Sequence, residues 1–496
     1  MLRAVGRGRP HARGVTRLLV SVASRIAVVA AVAFLSVLVV APNAIFGRSS
    51  DDLDARLGAR LTQLAFTGRT ESTLETRLQR PLNKRLANIG RLFWFDTITG
   101  LNGDNTCAGC HSPTNGFGDS QPIAIGIDNN GVVGPDRTGP RNMRRAPLVL
   151  NTAFFPNLMW NSRFAAVSDD PFDNSEGLLF PPPEGTSLSY LQHLLQAQAF
   201  IPPTERTEVA GFDFPGDNDA IRAEVIRRLN AVPEYRKLFG RVFPDVRRGG
   251  PITFDEFGRA IAEFEFSLTF ANAPVDRFAR GEPKAMTDAE KRGALLFFGS
   301  AGCVSCHAVS GKSNEMFSDF REHVIGVPQI VPSDTNNTFA GPDANQDFGR
   351  EDFTGNSDDR YAFRTAPLRN IALAPAFMHD GAFTTLKAAI QHHLDVVASA
   401  QSYNPAAQDL PPDLTGPVGP IEPILARLDP LVATPTLLTD TQVDDVLAFV
   451  RDGLLDPRAR PKNLRRLVPD ELPSGRPPLQ FEFAPAKQRK THAVSR

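Results

Sequence analysis

The four cysteines of the 496-residue chain stand as two identically spaced pairs, each closed by a histidine: Cys107-Ala-Gly-Cys110-His111 and Cys303-Val-Ser-Cys306-His307. Two thiols separated by two residues can add across the two vinyl groups of one porphyrin while the adjoining imidazole reaches its iron. A zinc site asks for four ligands gathered together, and a thioredoxin-like pair asks for a βαβ setting. Neither calls for a histidine after both pairs. The spacing predicts two covalently attached haems c, with His111 and His307 as the proximal ligands, and leaves no cysteine for a structural disulfide.

What each iron can do depends on its sixth ligand: an iron held on both faces passes electrons, whereas one with a vacant face can bind and split peroxide. The chain has nine histidines, and none lies between His111 and His193. Met143 and Met159 are then the local candidates, and the first iron is expected to have an open or weakly held distal face. For the second, Leu386, Ala389, Ile390, His393, Leu394 and Val397 fall on one helical face, which places His393 among buried side chains and turns His392 elsewhere. Met378 and His379, in the turn from Pro375 to Gly381, compete with His393 for that iron.

The elements that position these residues read as mostly α: two cytochrome c-like haem domains with long irregular loops. Gly90 to Phe95 precedes the first pair and Gly293 to Phe298 the second, an internal repeat in which an aromatic-rich helix leads into each motif. Helical periodicity covers 219–229, 254–268, 288–298, 386–397 and 440–455, with no alternating runs long enough for a large sheet. Apolar spacing at Leu53, Leu57, Leu61 and Leu64 predicts a leading helix within 51–80. The Asn/Pro/Gly-rich stretch 271–284 reads as the junction. The expected division is 51–275 for the N-terminal haem domain, 276–456 for the C-terminal one, and 457–496 for a basic, Pro-rich, unpacked tail. Stretches 332–359 and 402–420 read as surface loops.

Residues 1–44 carry a basic start, an apolar run from Ile26 to Val40 and then Ala41-Pro42-Asn43-Ala44, the order of an export signal. Cleavage and retention as a membrane anchor both stay open. The expected location is periplasmic, in keeping with haem attachment outside the bacterial cytoplasm. A formal net charge of −1 gives no reason to expect nucleic acid as a partner.

From about Pro81 to Pro457 the residues resemble the bacterial dihaem cytochrome c peroxidase family, which includes methylamine-dehydrogenase maturation enzymes. Leu92 to Asp119, with Gly116-Phe117-Gly118-Asp119, resembles the family's N-terminal haem entry, as does Ala146-Pro147-Leu148-Val149-Leu150-Asn151. Trp160-Asn161-Ser162-Arg163 is similar to its Trp-Asp-Gly-Arg element, with Asp and Gly replaced, and implies that Trp160 relays electrons between haems. Trp94 reads instead as a core residue. Gln198, Pro202 and Glu208 match a distal run in which a glutamine, a proline four later and a glutamate ten later face peroxide. The likeness implies Glu208 as the acid–base group and Gln198 as a residue holding the oxygen atoms.

In the second half, Ala366-Pro367-Leu368-Arg369-Asn370, His379-Asp380-Gly381 and Thr385-Leu386 resemble the C-terminal haem segment. Fourteen residues after its histidine the peroxidases place methionine and the maturation enzymes tyrosine. His393 stands there, implying a bis-histidine haem of lower potential. The family often holds calcium between its domains through an asparagine and carbonyls. The aligned position here is Arg145, with Ala374 and Ala376 supplying the carbonyls, so the calcium expectation is in doubt.

The resemblance implies reduction of hydrogen peroxide, fed by a small cytochrome c or a copper protein of the cupredoxin type. No distal histidine has to leave the first iron, so no reductive activation step is expected, and a homodimer is compatible with the chain. The rival readings are a dihaem oxidase or oxygenase acting on a protein or organic substrate, and a dihaem electron carrier with no substrate chemistry.

Overall fold

Each cysteine pair is reached through a capped helix that carries a glycine where a second helix crosses it. In a computed structural model covering residues 50–180, 188, 190–333 and 345–483, helix Lys84–Phe95 starts at Asn83, whose Oδ1 accepts the Leu86 N–H at 3.1 Å. It packs on helix Phe254–Ser267, which begins with a Thr253/Glu256 capping box. A Cβ on Gly90 would stand 1.8 Å from the Ala260 carbonyl oxygen, so only glycine permits this approach. The arrangement recurs before the second pair: Asp288–Phe297 and Asp440–Ala448 both begin with capping boxes, and a Cβ on Gly293 would lie 1.9 Å from the Asp445 carbonyl oxygen.

Aromatic side chains fill the angle between each pair of helices. Trp94, Phe117 and Phe264 meet edge to face beside the first motif; Phe297, Phe317 and Phe449 do so beside the second. Each such ring, fully buried, contributes about 1.5–3 kcal/mol. Trp94 is a core residue, as its sequence setting predicts, and its Nε1–H donates to the His111 carbonyl at 3.2 Å.

The two Ala-Pro-Leu runs also share a backbone device. Asn151 and Asn370, at their ends, both adopt left-handed conformations (φ 68° and 62°) and start short 3-10 turns. Both donate side-chain N–H groups to the carbonyl of Phe270, at 3.2 and 3.0 Å. The backbone entering the predicted junction is thus held from both halves.

Among the described residues strands are two or three residues long and form only small sheets, as the absence of alternating patterns implies. The helices predicted at 219–229, 254–268 and 288–298 are present, while that at 386–397 breaks at Asp395, whose side chain caps a second helix, Val396–Gln401. The pattern at 440–455 becomes the α-helix Asp440–Ala448 followed by the π-turn Phe449–Gly453.

Three expectations need correction. The leading segment is two helices, Ser50–Gln63 and Thr70–Arg77, separated by a turn with Ala65 and Gly68 at positive φ. Its Leu57, Leu61 and Phe66 join Phe297, Phe298 and Phe449 in one cluster, so this N-terminal segment packs with the second motif's core. The Arg60 Nε–H fixes it there by donating to the Phe298 carbonyl at 3.0 Å.

The tail is packed as far as Phe483. Leu464 and Leu472 are buried in the first motif's core, and Gln480–Phe481 pairs in parallel with Val132–Val133. Polar ties reinforce it: Ser474 to Asp96, and Arg476 to the Thr97 carbonyl. Basic and Pro-rich composition missed these few apolar anchors.

The stretch 402–420 is no free loop, since Leu410 and Leu414 are buried and Arg141 grips Asp413. Of 332–359, Asp347 is buried beneath Arg144, and 334–344 lie outside the described residues, as do 1–44 and the chain from 484 on. Among the described residues no helix is long and apolar enough to cross a membrane.

Candidate active site

The first motif lines a cavity of ≈ 970 Å³, and the second a slot of ≈ 280 Å³. Cys107, Cys110 and His111 face the larger; Cys303, Cys306 and His307 face the smaller. In each, the proximal imidazole is oriented by the backbone. His111 Nδ1 lies 2.9 Å from the Pro147 carbonyl and His307 Nδ1 lies 3.0 Å from that of Phe317. A carbonyl only accepts, so Nδ1 carries the proton in both rings and Nε2 is left free to ligate a metal. Burial pushes both imidazoles down to about 4, which keeps them neutral, as a metal ligand must be.

On the far side of the slot stands His393. Its ring centre lies 6.3 Å from that of His307, room for one metal ion between a nitrogen of each ring at bonds of about 2 Å. Nδ1 bonds the Ala389 carbonyl at 2.8 Å, leaving Nε2 to the slot. The predicted face is confirmed for Leu386, Ala389, Ile390, His393 and Leu394, which all line it, and fails for exposed Val397 beyond the break. His392 is the more deeply buried of the pair, with both nitrogens occupied, by Ser399 Oγ and the Ile325 carbonyl. Met378 and His379 also line the slot, but the His379 ring is stacked on Phe363 at 3.6 Å.

The first cavity brings together what the matched run suggested. Gln198 ends helix Leu194–Gln198, Pro202 opens a 3-10 turn and Glu208 lies on the π-turn Arg206–Ala210, and all three line the same cavity as Cys107, Cys110 and His111. Burial, with the neighbouring Glu205 charge adding to it, pushes the Glu208 carboxyl up to about 7, against the pull of Arg163. Arg163 pairs with Glu205 at 3.0 Å. Among the described residues no histidine besides His111 lines this cavity, and His193 is spent elsewhere: Nε2 bonds the Ala153 carbonyl and Nδ1 caps a helix. Met143 and Met159 do line it.

Trp160 borders both cavities, and its Nε1–H donates to the Arg145 carbonyl at 2.8 Å. Ser162, where the family motif has glycine, keeps the positive φ of 52° that glycine would favour. The donor set at position 145 does not fit calcium, which takes oxygen ligands. Arg145 offers a guanidinium, its carbonyl is engaged by Trp160, and its N–H takes the His379 carbonyl at 2.9 Å.

One residue escaped the sequence reading. Glu265 projects into the first cavity with its Oε2 enclosed and unpartnered, and burial raises it to about 8. A lone carboxylate among Phe257, Ile261 and Phe264 at helical spacing was the available signal.

Residues 84–284 match the family model described as di-haem cytochrome c peroxidase. The chain is 29% identical over 316 residues to the methylamine utilization protein MauG of Methylorubrum extorquens, spanning 63% of this chain and 70% of that one. It is 27% identical over 342 residues to the cytochrome c551 peroxidase of Nitrosomonas europaea, spanning 68% and 81%. The fold is similar to that of a MauG-like protein associated with microbial copper homeostasis, with TM-score 0.54, 24% identity and coverage of 77% of this chain and 92% of that one. Over residues 84–284 the chain is thus similar to the di-haem cytochrome c peroxidase family, in which two c-type haems are implied.

Proposed function

We propose that the chain is an exported dihaem peroxidase that reduces hydrogen peroxide to water with electrons from a small cytochrome c or cupredoxin, relayed through the second haem. Cys107 with Cys110 and Cys303 with Cys306 would hold the haems by thioether bonds, His111 would ligate the first, and His307 and His393 would cap the second on both sides. A c-type haem with a free coordination position supplies an iron able to exchange electrons with the O–O bond.

The chain's own residues do the rest. Glu208, poised near neutrality, takes a proton from one peroxide oxygen and returns it to the departing one, while Gln198 orients the pair. Trp160, on the wall between the cavities, lies on the route for the two electrons. The observation that carries this reading is the asymmetry of the two cavities: a second imidazole stands 6.3 Å from His307, whereas among the described residues the cavity of His111 is lined by no second histidine but by Gln198 and Glu208. Histidine at 393, where the maturation enzymes have tyrosine, favours peroxide reduction over oxidation of a protein substrate.

Glu208→Gln should lower peroxide turnover, measured with a reduced cytochrome c, by about 10²–10⁴-fold with both haems still attached. Turnover equal to wild type would remove Glu208 from the mechanism.

A further inference from the structure

Arg145 is a buried cation without a counter-ion of its own. Its side chain borders both cavities, the residue is 4% exposed, and Nε and Nη2 are enclosed with no hydrogen-bond partner among the described residues. The carboxylates that act on its charge are Asp119 and Asp380. Each already accepts backbone N–H groups: Asp119 from Gln121 and Ala146, Asp380 from Ala382 and Ile330. A guanidinium so enclosed is strongly disfavoured unless an anion meets it. The backbone around it is fixed, through His379 on one side and Trp160 on the other.

The missing anion must come from what fills the cavities, and each haem carries two propionate carboxylates. We propose that Arg145 receives a propionate of each haem in its planar fork of N–H donors, acting as one fixed positive charge shared by both irons where the family resemblance places calcium. This rests on the reading that both cavities hold haem, which a haem-to-protein ratio of two in the purified wild type checks separately. A nearby cation favours the state with the added electron, so Arg145 raises both reduction potentials.

The test is a spectroelectrochemical titration of the holoprotein, following the low-spin and high-spin bands separately. Arg145→Gln should lower the reduction equilibrium of both haems about tenfold, about 59 mV for one electron. Arg145→Lys keeps the charge but not the fork, so it should hold both potentials while moving the propionate bending modes of both haems in resonance Raman spectra. Wild type dialysed against a chelator should keep both potentials. Potentials that stay put in Arg145→Gln, or a shift at one haem alone, would overturn the sharing. So would a chelator-induced shift, which would hand the role to a bound ion. If Arg145→Gln does not assemble, the Raman result on Arg145→Lys decides, and unmoved propionate modes at either haem overturn the proposal.

Discussion

Glu208 shows how a single side chain takes its chemistry from its surroundings. Its ordinary value of 4.5 is raised to about 7 by burial and by Glu205, with Arg163 opposing. For a carboxyl raised in the folded state, the protonated form dominates below about 7, and the buried carboxylate becomes a growing cost as pH climbs from 4.5 through 7. This residue's contribution to stability therefore falls across that window. Peroxide kcat/KM should rise across it, because only the carboxylate can accept the proton. Glu205→Gln removes the like charge and should move the acid limb of the pH profile to lower pH. Arg163→Gln should move it higher, and stopped-flow profiles of the two variants check both signs. Glu265, raised to about 8 by burial, is mostly protonated at pH 7 and there offers an O–H donor that a carboxylate lacks.

At the scale of elements, the repeated unit is a pair of crossing helices that deliver a cysteine motif to a cavity. Gly90 against Ala260 and Gly293 against Asp445 set the two crossings, and in each the obstructing atom is backbone, which cannot swing aside. Gly90→Ala and Gly293→Ala should each cost about 3 kcal/mol, read as a lower denaturant midpoint. The losses should be local: Gly90→Ala should perturb the high-spin haem's absorption first, and Gly293→Ala the low-spin one. Equal perturbation of both bands by either variant would mean that the two crossings do not set the two cavities separately. Asn151 and Asn370 bear on the same issue, since both grip Phe270 and couple the ends of the two Ala-Pro-Leu runs.

Across the described residues, the first and last segments are exchanged between the two cores. Helix Ser50–Gln63 packs beside Phe297 and Phe449, while Leu464 and Leu472 return to the core around Phe93 and Trp94. Leu464→Ala should cost about 2–5 kcal/mol, measured by denaturant unfolding, although the residue lies in a segment whose composition reads as unpacked. The cysteine motifs, the helices beside them and the scarcity of strands among the described residues were legible in the amino-acid order, because each is a local spacing that chemistry or helical periodicity fixes without reference to distant residues; the run at Gln198, Pro202 and Glu208 was suggested only by the family resemblance, and its residues line one cavity. His393 was half legible: periodicity put it on the face that lines the slot, but which neighbour is buried depended on the break at Asp395 and on Ser399 and Ile325 reaching His392. The exchange of segments 50–66 and 464–472, Glu265 in the cavity wall and the guanidinium of Arg145 bordering both cavities with Nε and Nη2 unpartnered could emerge only from the tertiary structure. Burial and missing partners are properties of the space between remote segments, and no local pattern encodes them.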